Sequence, residues 1–233
     1  IFLLQEHWLT PANLHKCDDD FCNYFSFGCS AMSKAVESSI LSGRPYGGVM
    51  ILVNNSLRPI TKTIYCDERY AVIMVANYII VNMYLPCDGT ENRLLLCESI
   101  LSGITCYLEQ YDDYVYLISG DFNCDLSSSD KVASCLIKFI NDLSLHRCDE
   151  LFDKTALMTY VNTALNHNSR IDYMLISCCE KALHFDVLDH ALNFSDHLPL
   201  IACFVYDVLD NAKPTSHVAF ETRLRWDKAD LLS

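Results

Sequence analysis

Residues 113–123, Asp113-Tyr114-Val115-Tyr116-Leu117-Ile118-Ser119-Gly120-Asp121-Phe122-Asn123, drive a β-type apolar run into a carboxylate and an amide. A run buried on both faces delivers its last polar group to the rim of a sheet, where α/β proteins keep their chemistry. Two more polar clusters close apolar runs in the same way, Leu4-Gln5-Glu6 near the start and Ser195-Asp196-His197 near the end. Glu6, Asp121 and Asp196 offer hard oxygens suited to a magnesium-type cation, Asn123 an amide donor, and His197 a proton donor near neutral pH. Singly, each has a plainer explanation: a solvated strand end, a turn capped by Asp, a structural histidine. Occurring together, they point to metal-assisted hydrolysis of a phosphoester.

Working outward, residues 1–6 read as a strand ending at Glu6, and Gly47 to Val53 as another, with a short strand around Tyr24-Phe27 in the loop between them. Tyr70 to Tyr84 is nearly all apolar. Asn77 and Asn82 interrupt it and β-branched residues dominate, so two buried strands with a turn near Ala76-Asn77 fit better than a membrane span. Thr90 is placed to cap a helix with Glu91 in its first turn and Leu94, Cys97, Leu101, Ile104 and Leu108 on one face. A second helix capped near Ser129 turns Val132, Leu136, Phe139, Ile140 and Leu143 inward. Short strands follow near Met158-Val161, Ile171-Ser177 and Leu198-Phe204. Many strands and few helices predict an α/β fold of two packed sheets with helices outside.

The chain of 233 residues, 51% apolar and 11% aromatic, is long enough for one well-buried domain. Its thirteen cysteines are odd in number and scattered through apolar runs, among them Cys97, Cys106, Cys135 and Cys203, without a CxxC pair. Buried free thiols in a reducing compartment are the expectation, and a zinc site is a distant alternative. The formal net charge of −13 argues against a surface that coats nucleic acid, although Arg44, Arg58, Arg93 and Arg170 could hold a strand locally. The opening Ile1-Phe2-Leu3-Leu4 is too short and lacks the basic leader of a signal peptide, so a soluble intracellular protein is expected.

Five motifs now stand in order: Leu4-Gln5-Glu6, Asn82-Met83-Tyr84-Leu85-Pro86, Gly120-Asp121-Phe122-Asn123, Ser169-Arg170-Ile171-Asp172-Tyr173 and Ser195-Asp196-His197. In this the chain resembles the endonuclease/exonuclease/phosphatase superfamily. Gly43-Arg44-Pro45-Tyr46-Gly47-Gly48 and Tyr84-Leu85-Pro86-Cys87-Asp88 narrow the resemblance to the endonuclease domain of non-LTR (LINE-type) retrotransposons. The resemblance implies a deoxyribonuclease-like four-layer sandwich over residues 1–208, two mainly antiparallel β-sheets flanked by helices, with residues 209–233 as a linker towards a downstream reverse transcriptase. It implies a Mg²⁺- or Mn²⁺-dependent enzyme that nicks DNA to leave a 3′-hydroxyl for priming reverse transcription, acting in the nucleus.

Roles follow from the same resemblance. Glu6 would ligate the metal with Asp196 near it, Asp121 would orient and deprotonate water, and Asn123 would hold the scissile phosphate. His197 would donate to a phosphate oxygen, oriented by Asp172. Tyr84 would contact phosphate, or else be a core aromatic at a strand end. Ser195 would position its neighbours or merely cap a turn. Thr159 and Arg170 would line the substrate site. The resemblance also implies an earlier strand whose Asn helps hold metal and phosphate; the sequence is expected to lack it, and weak or absent activity is expected unless that strand is restored. Two other readings compete: a phosphomonoesterase or phospholipid or inositol phosphate phosphodiesterase of the same superfamily, and a non-catalytic remnant.

Overall fold

The computed structural model describes residues 1–38, 44–164, 166–190 and 193–206. The linker expected over 209–233 lies outside them. In chain order the strands are β1 (Phe2–Gln5), β2 (Tyr24–Cys29), β3 (Val49–Asn54), β4 (Thr61–Cys66), β5 (Tyr70–Val75), β6 (Tyr78–Tyr84), β7 (Val115–Asp121), β8 (His146–Arg147), β9 (Tyr160–Asn162), β10 (His167–Ser169), β11 (Asp172–Ile176), β12 (Ala182–Val187) and β13 (Leu200–Phe204). The helices are α1 (Lys16–Asp20), α2 (Ser33–Glu37), α3 (Arg93–Leu108), α4 (Lys131–Asp142) and α5 (Cys148–Leu151).

A six-stranded sheet in the order β4-β5-β6-β7-β11-β8 forms the centre of the molecule. All its pairings are antiparallel except β6 with β7, and that parallel pair is bridged by α3, the long crossover such a connection requires. One face packs on α3 and α4, burying Val81, Met83, Cys97, Leu101, Ile104, Ile118, Leu136 and Phe139. The other face meets the β1-β3-β2 sheet and the β12-β13 pair through Ile51, Val53, Ile73, Ile80, Ile176 and Phe185. Cys17 of α1 joins Met50 and Leu52 in a smaller outer cluster. The expected four-layer order therefore holds, with short helices as the outermost layer on one side.

The first long helix begins later than its sequence signal indicates, and the second starts next to its expected cap near Ser129. Asn92, in a left-handed conformation, caps α3 in place of Thr90, so Glu91 lies outside the first turn; Asp130 rather than Ser129 precedes α4. The apolar face predicted for α3 is otherwise correct, with Cys97, Leu101, Ile104 and Leu108 all buried. The cysteines divide. Cys17, Cys97, Cys124 and Cys148 are buried free thiols, whereas Cys106 and Cys203 are exposed, because each faces away from the element's packed side. No described helix is long and apolar enough to cross a membrane.

Two features set up the site. β1 pairs only with β3, and β13 only with β12, so among the described residues each keeps one unpaired edge. Both edges line a cleft of about 2710 Å³ floored by Tyr78, Ile80, Leu117 and Met174. Across the sandwich, fully buried Asn82 of β6 donates from Nδ2 to Leu4 O and Met50 O, both at 2.9 Å, and its Oδ1 accepts from Gln5. One amide thus holds the end of β1 against the central sheet.

Candidate active site

Register places the chemistry. Tyr84 at the end of β6 lies opposite Asp121 at the end of β7, and Asp121 lies opposite Asp172 at the start of β11. Lateral neighbours in a sheet share a face, so three adjacent strands present their polar ends as one row. Gly120 makes the row possible: it sits at φ +146°, and a Cβ there would lie 1.9 Å from Met83 O of the neighbouring strand.

His197 reaches the row from the loop after β12. Its Nδ1 lies 3.0 and 3.1 Å from the two oxygens of Asp172. Its ring packs edge-on against Tyr160 at 5.0 Å. Thr159 Oγ1 accepts from the backbone N–H groups of Ile171 (3.1 Å) and Asp172 (3.0 Å), fixing the turn that aims Asp172. Ser195 Oγ accepts from His197 N at 3.1 Å, which makes it a brace for the histidine.

Asn123 stands beyond β7 at φ +50°. Its backbone N–H donates to Asp121 Oδ1 at 2.7 Å, and its Nδ2 donates to Asp121 Oδ2 and Leu85 O, both at 2.9 Å. Arg93 supports the turn from below, donating to Asn123 O at 2.6 Å and Pro86 O at 3.0 Å. At the other end of the row, Tyr84 OH donates to Glu6 Oε1 at 2.7 Å, and Trp8 Nε1 donates to Glu6 Oε2 at 3.2 Å. Tyr84 is therefore linked to Glu6 and is more than a core aromatic.

The electrostatics follow from crowding acids at a buried rim. Burial, then the charge of Asp172, raises the Asp121 carboxyl to about 7 despite His197 nearby. Burial alone would lower His197, but the hydrogen bond and charge of Asp172, with Asp121 and Asp196 beyond, raise it to about 9. Burial and then the hydrogen bond to Glu6 raise the Tyr84 phenol. Near neutral pH the row therefore holds a carboxyl able to exchange its proton beside a protonated imidazole.

Not every expected residue joins the site. Arg170 turns inward: NH1 meets Asp149 at 2.8 Å and Nε donates to Leu157 O at 3.0 Å, so it braces the Asp172 turn and does not project towards substrate. The reason is Asp149, a buried carboxylate that also pairs with Arg147. Asp196 is exposed, and its backbone oxygen accepts from Val161 at 2.8 Å. Sequence reasoning named Asn82 as a motif member and Arg93 as a cation that could hold a strand without foreseeing their bracing roles, and it missed Asp149 and Trp8. Asn82 had a visible signal, a lone amide inside an apolar strand; the others depend on partners distant in sequence.

One oxygen each of Asp121 and Asp172 and a ring nitrogen of His197 lie within 4.8 Å of one another. His197 and Asp172 already satisfy each other, so a divalent cation fits better on the Glu6 and Asp121 side. There the donors are hard oxygens, the kind a magnesium-type cation takes.

Neither a family model nor a curated protein matches this sequence. Solved structures do match. The 3′ phosphatase NExo from Neisseria, determined with product DNA hairpin, is 16% identical over 88% of each chain with a TM-score of 0.64. AP endonuclease LMAP from Leishmania major is 13% identical over 88% of this chain and 78% of its own, with a TM-score of 0.68. The chain has the endonuclease/exonuclease/phosphatase fold.

Proposed function

We propose that this chain is a divalent-metal-dependent phosphodiester hydrolase that nicks DNA. The observation that carries the reading is the row of Tyr84, Asp121 and Asp172 on adjacent strands with His197 held on Asp172. Asp121, once deprotonated, takes a proton from water as the water oxygen attacks phosphorus. The phosphorus–oxygen bond to the 3′-oxygen breaks and that oxygen takes a proton from solvent, leaving a 3′-hydroxyl and a 5′-phosphate. Protonated His197 donates a hydrogen bond to a non-bridging oxygen as charge grows there. Asn123 holds Asp121 in register through its amide, and would reach the phosphate by exchanging its bond to Leu85 O. Held on the Glu6 and Asp121 side, Mg²⁺ or Mn²⁺ would supply Lewis-acid stabilisation of that charge.

The two solved relatives support the DNA reading, one by its AP endonuclease name and the other by its bound product DNA hairpin. The finer reading, a retrotransposon endonuclease that primes reverse transcription in the nucleus, is supported by Gly43-Arg44-Pro45-Tyr46-Gly47-Gly48 and Tyr84-Leu85-Pro86-Cys87-Asp88. A phosphomonoesterase reading is favoured by the inward-turned Arg170 and the net charge of −13, which leave little to grip a long duplex. Incubation with supercoiled plasmid and with inositol phosphates, in Mg²⁺ and then in Mn²⁺, separates the two. The proposal expects nicked plasmid and no released inorganic phosphate; the reverse pattern would replace it with a phosphatase.

A further inference from the structure

Two large aromatic side chains flank the row, one at each end. Trp8 is 57% exposed and its indole donates to Glu6; Phe194 is 98% exposed, the most exposed large hydrophobic among the described residues, and directly precedes Ser195-Asp196-His197. Water would ordinarily drive such a ring inward, and a loop able to collapse would bury it. This loop is braced. Asn193 Nδ2 donates to Ser195 O at 3.1 Å and His197 O at 2.8 Å, and Asn193 Oδ1 accepts from Ser195 N at 3.2 Å, fixing the backbone on both sides of Phe194. The Trp8 backbone is likewise tied, its N–H donating to Gly47 O at 3.1 Å.

The cations around the row are already engaged. Arg93 bonds Asp88, Asp130 and two carbonyls; Arg147 and Arg170 share Asp149; Arg69 lies over the Tyr84 ring at 5.3 Å. With a net charge of −13, ion pairing to phosphate cannot be the main source of affinity. Stacking of bases on aromatic faces does not need cations, but it does need bases freed from a duplex stack.

We infer that Trp8 and Phe194 are base-stacking contacts on either side of the scissile phosphate, which makes the site selective for single-stranded or locally unpaired DNA over intact duplex. This rests on the DNA reading above and specifies its substrate class. The test is fluorescence anisotropy of a dye-labelled DNA oligonucleotide, single-stranded or as a blunt duplex, at one fixed salt concentration without divalent cation. The single strand is expected to bind about tenfold tighter or more, Phe194→Ala to remove about tenfold of that affinity with duplex binding unchanged, and Phe194→Trp to retain it. In Trp226→Phe, which leaves Trp8 as the sole tryptophan, single-stranded DNA should quench the remaining emission. Equal affinity for both forms, or an unaffected Phe194→Ala, overturns the stacking inference alone if plasmid is still nicked. No binding of either form, with no nicking, overturns the DNA reading as well.

Discussion

Asp172 faces Nδ1 of His197 with both carboxylate oxygens, at 3.0 and 3.1 Å, so one buried acid fixes the ring and favours its protonated form. Asp172→Asn keeps the shape and removes the charge. It should return the imidazole towards its ordinary value of 6.5 and lower the cleavage rate about a hundredfold or more. Proton NMR of the His197 ring, followed with pH beside single-turnover rates, checks both effects; a rate loss with unchanged titration would make Asp172 structural only.

The two raised groups predict a window of activity. Asp121 acts as base only when deprotonated, near and above about 7, and His197 donates only while protonated, below about 9. The rate should rise through the first value and fall through the second, with the acid limb moving lower as metal binds. Stability of the metal-free protein has its own sign. Both groups hold a proton more tightly when folded, so their contributions are complete below the ordinary values of 3.8 and 6.5 and are lost as pH rises through about 7 and about 9. Urea midpoints measured across pH 5 to 10 should therefore fall on the alkaline side on these groups' account.

Asn82 ties the two sheets through Leu4 O and Met50 O. Asn82→Leu leaves both carbonyls buried without that donor and should cost about 3 kcal/mol, measured by chemical denaturation. Because β1 carries Glu6, the folded variant should also bind Mg²⁺ more weakly. Wild-type stability in this variant would show that the amide clamp is incidental.

The central strands were legible because each is an apolar run that ends in a chemically distinctive residue. β1, β6, β7 and β11, with Glu6, Tyr84, Asp121 and Asp172, follow directly from that pattern. β4, β10 and β12 escaped it: apart from buried Phe185, Thr61–Cys66, His167–Ser169 and Ala182–Val187 mix exposed and half-buried residues, and their strand character comes from pairing with neighbours. Arg170 illustrates the same limit at the site. Its neighbours in sequence say substrate, but its direction is decided by Asp149, twenty-one positions earlier. The start of α3 slipped by two residues, from Thr90 to Asn92, while α4 starts beside its expected cap.

The most direct test of a single convergent site is nicking of supercoiled plasmid in Mg²⁺ by the wild-type chain, Asp121→Ala and His197→Ala, with folding of each confirmed by circular dichroism. Whatever the absolute wild-type rate, each variant should lose about a hundredfold or more while keeping its fold. Folded variants that nick as fast as wild type would contradict the account.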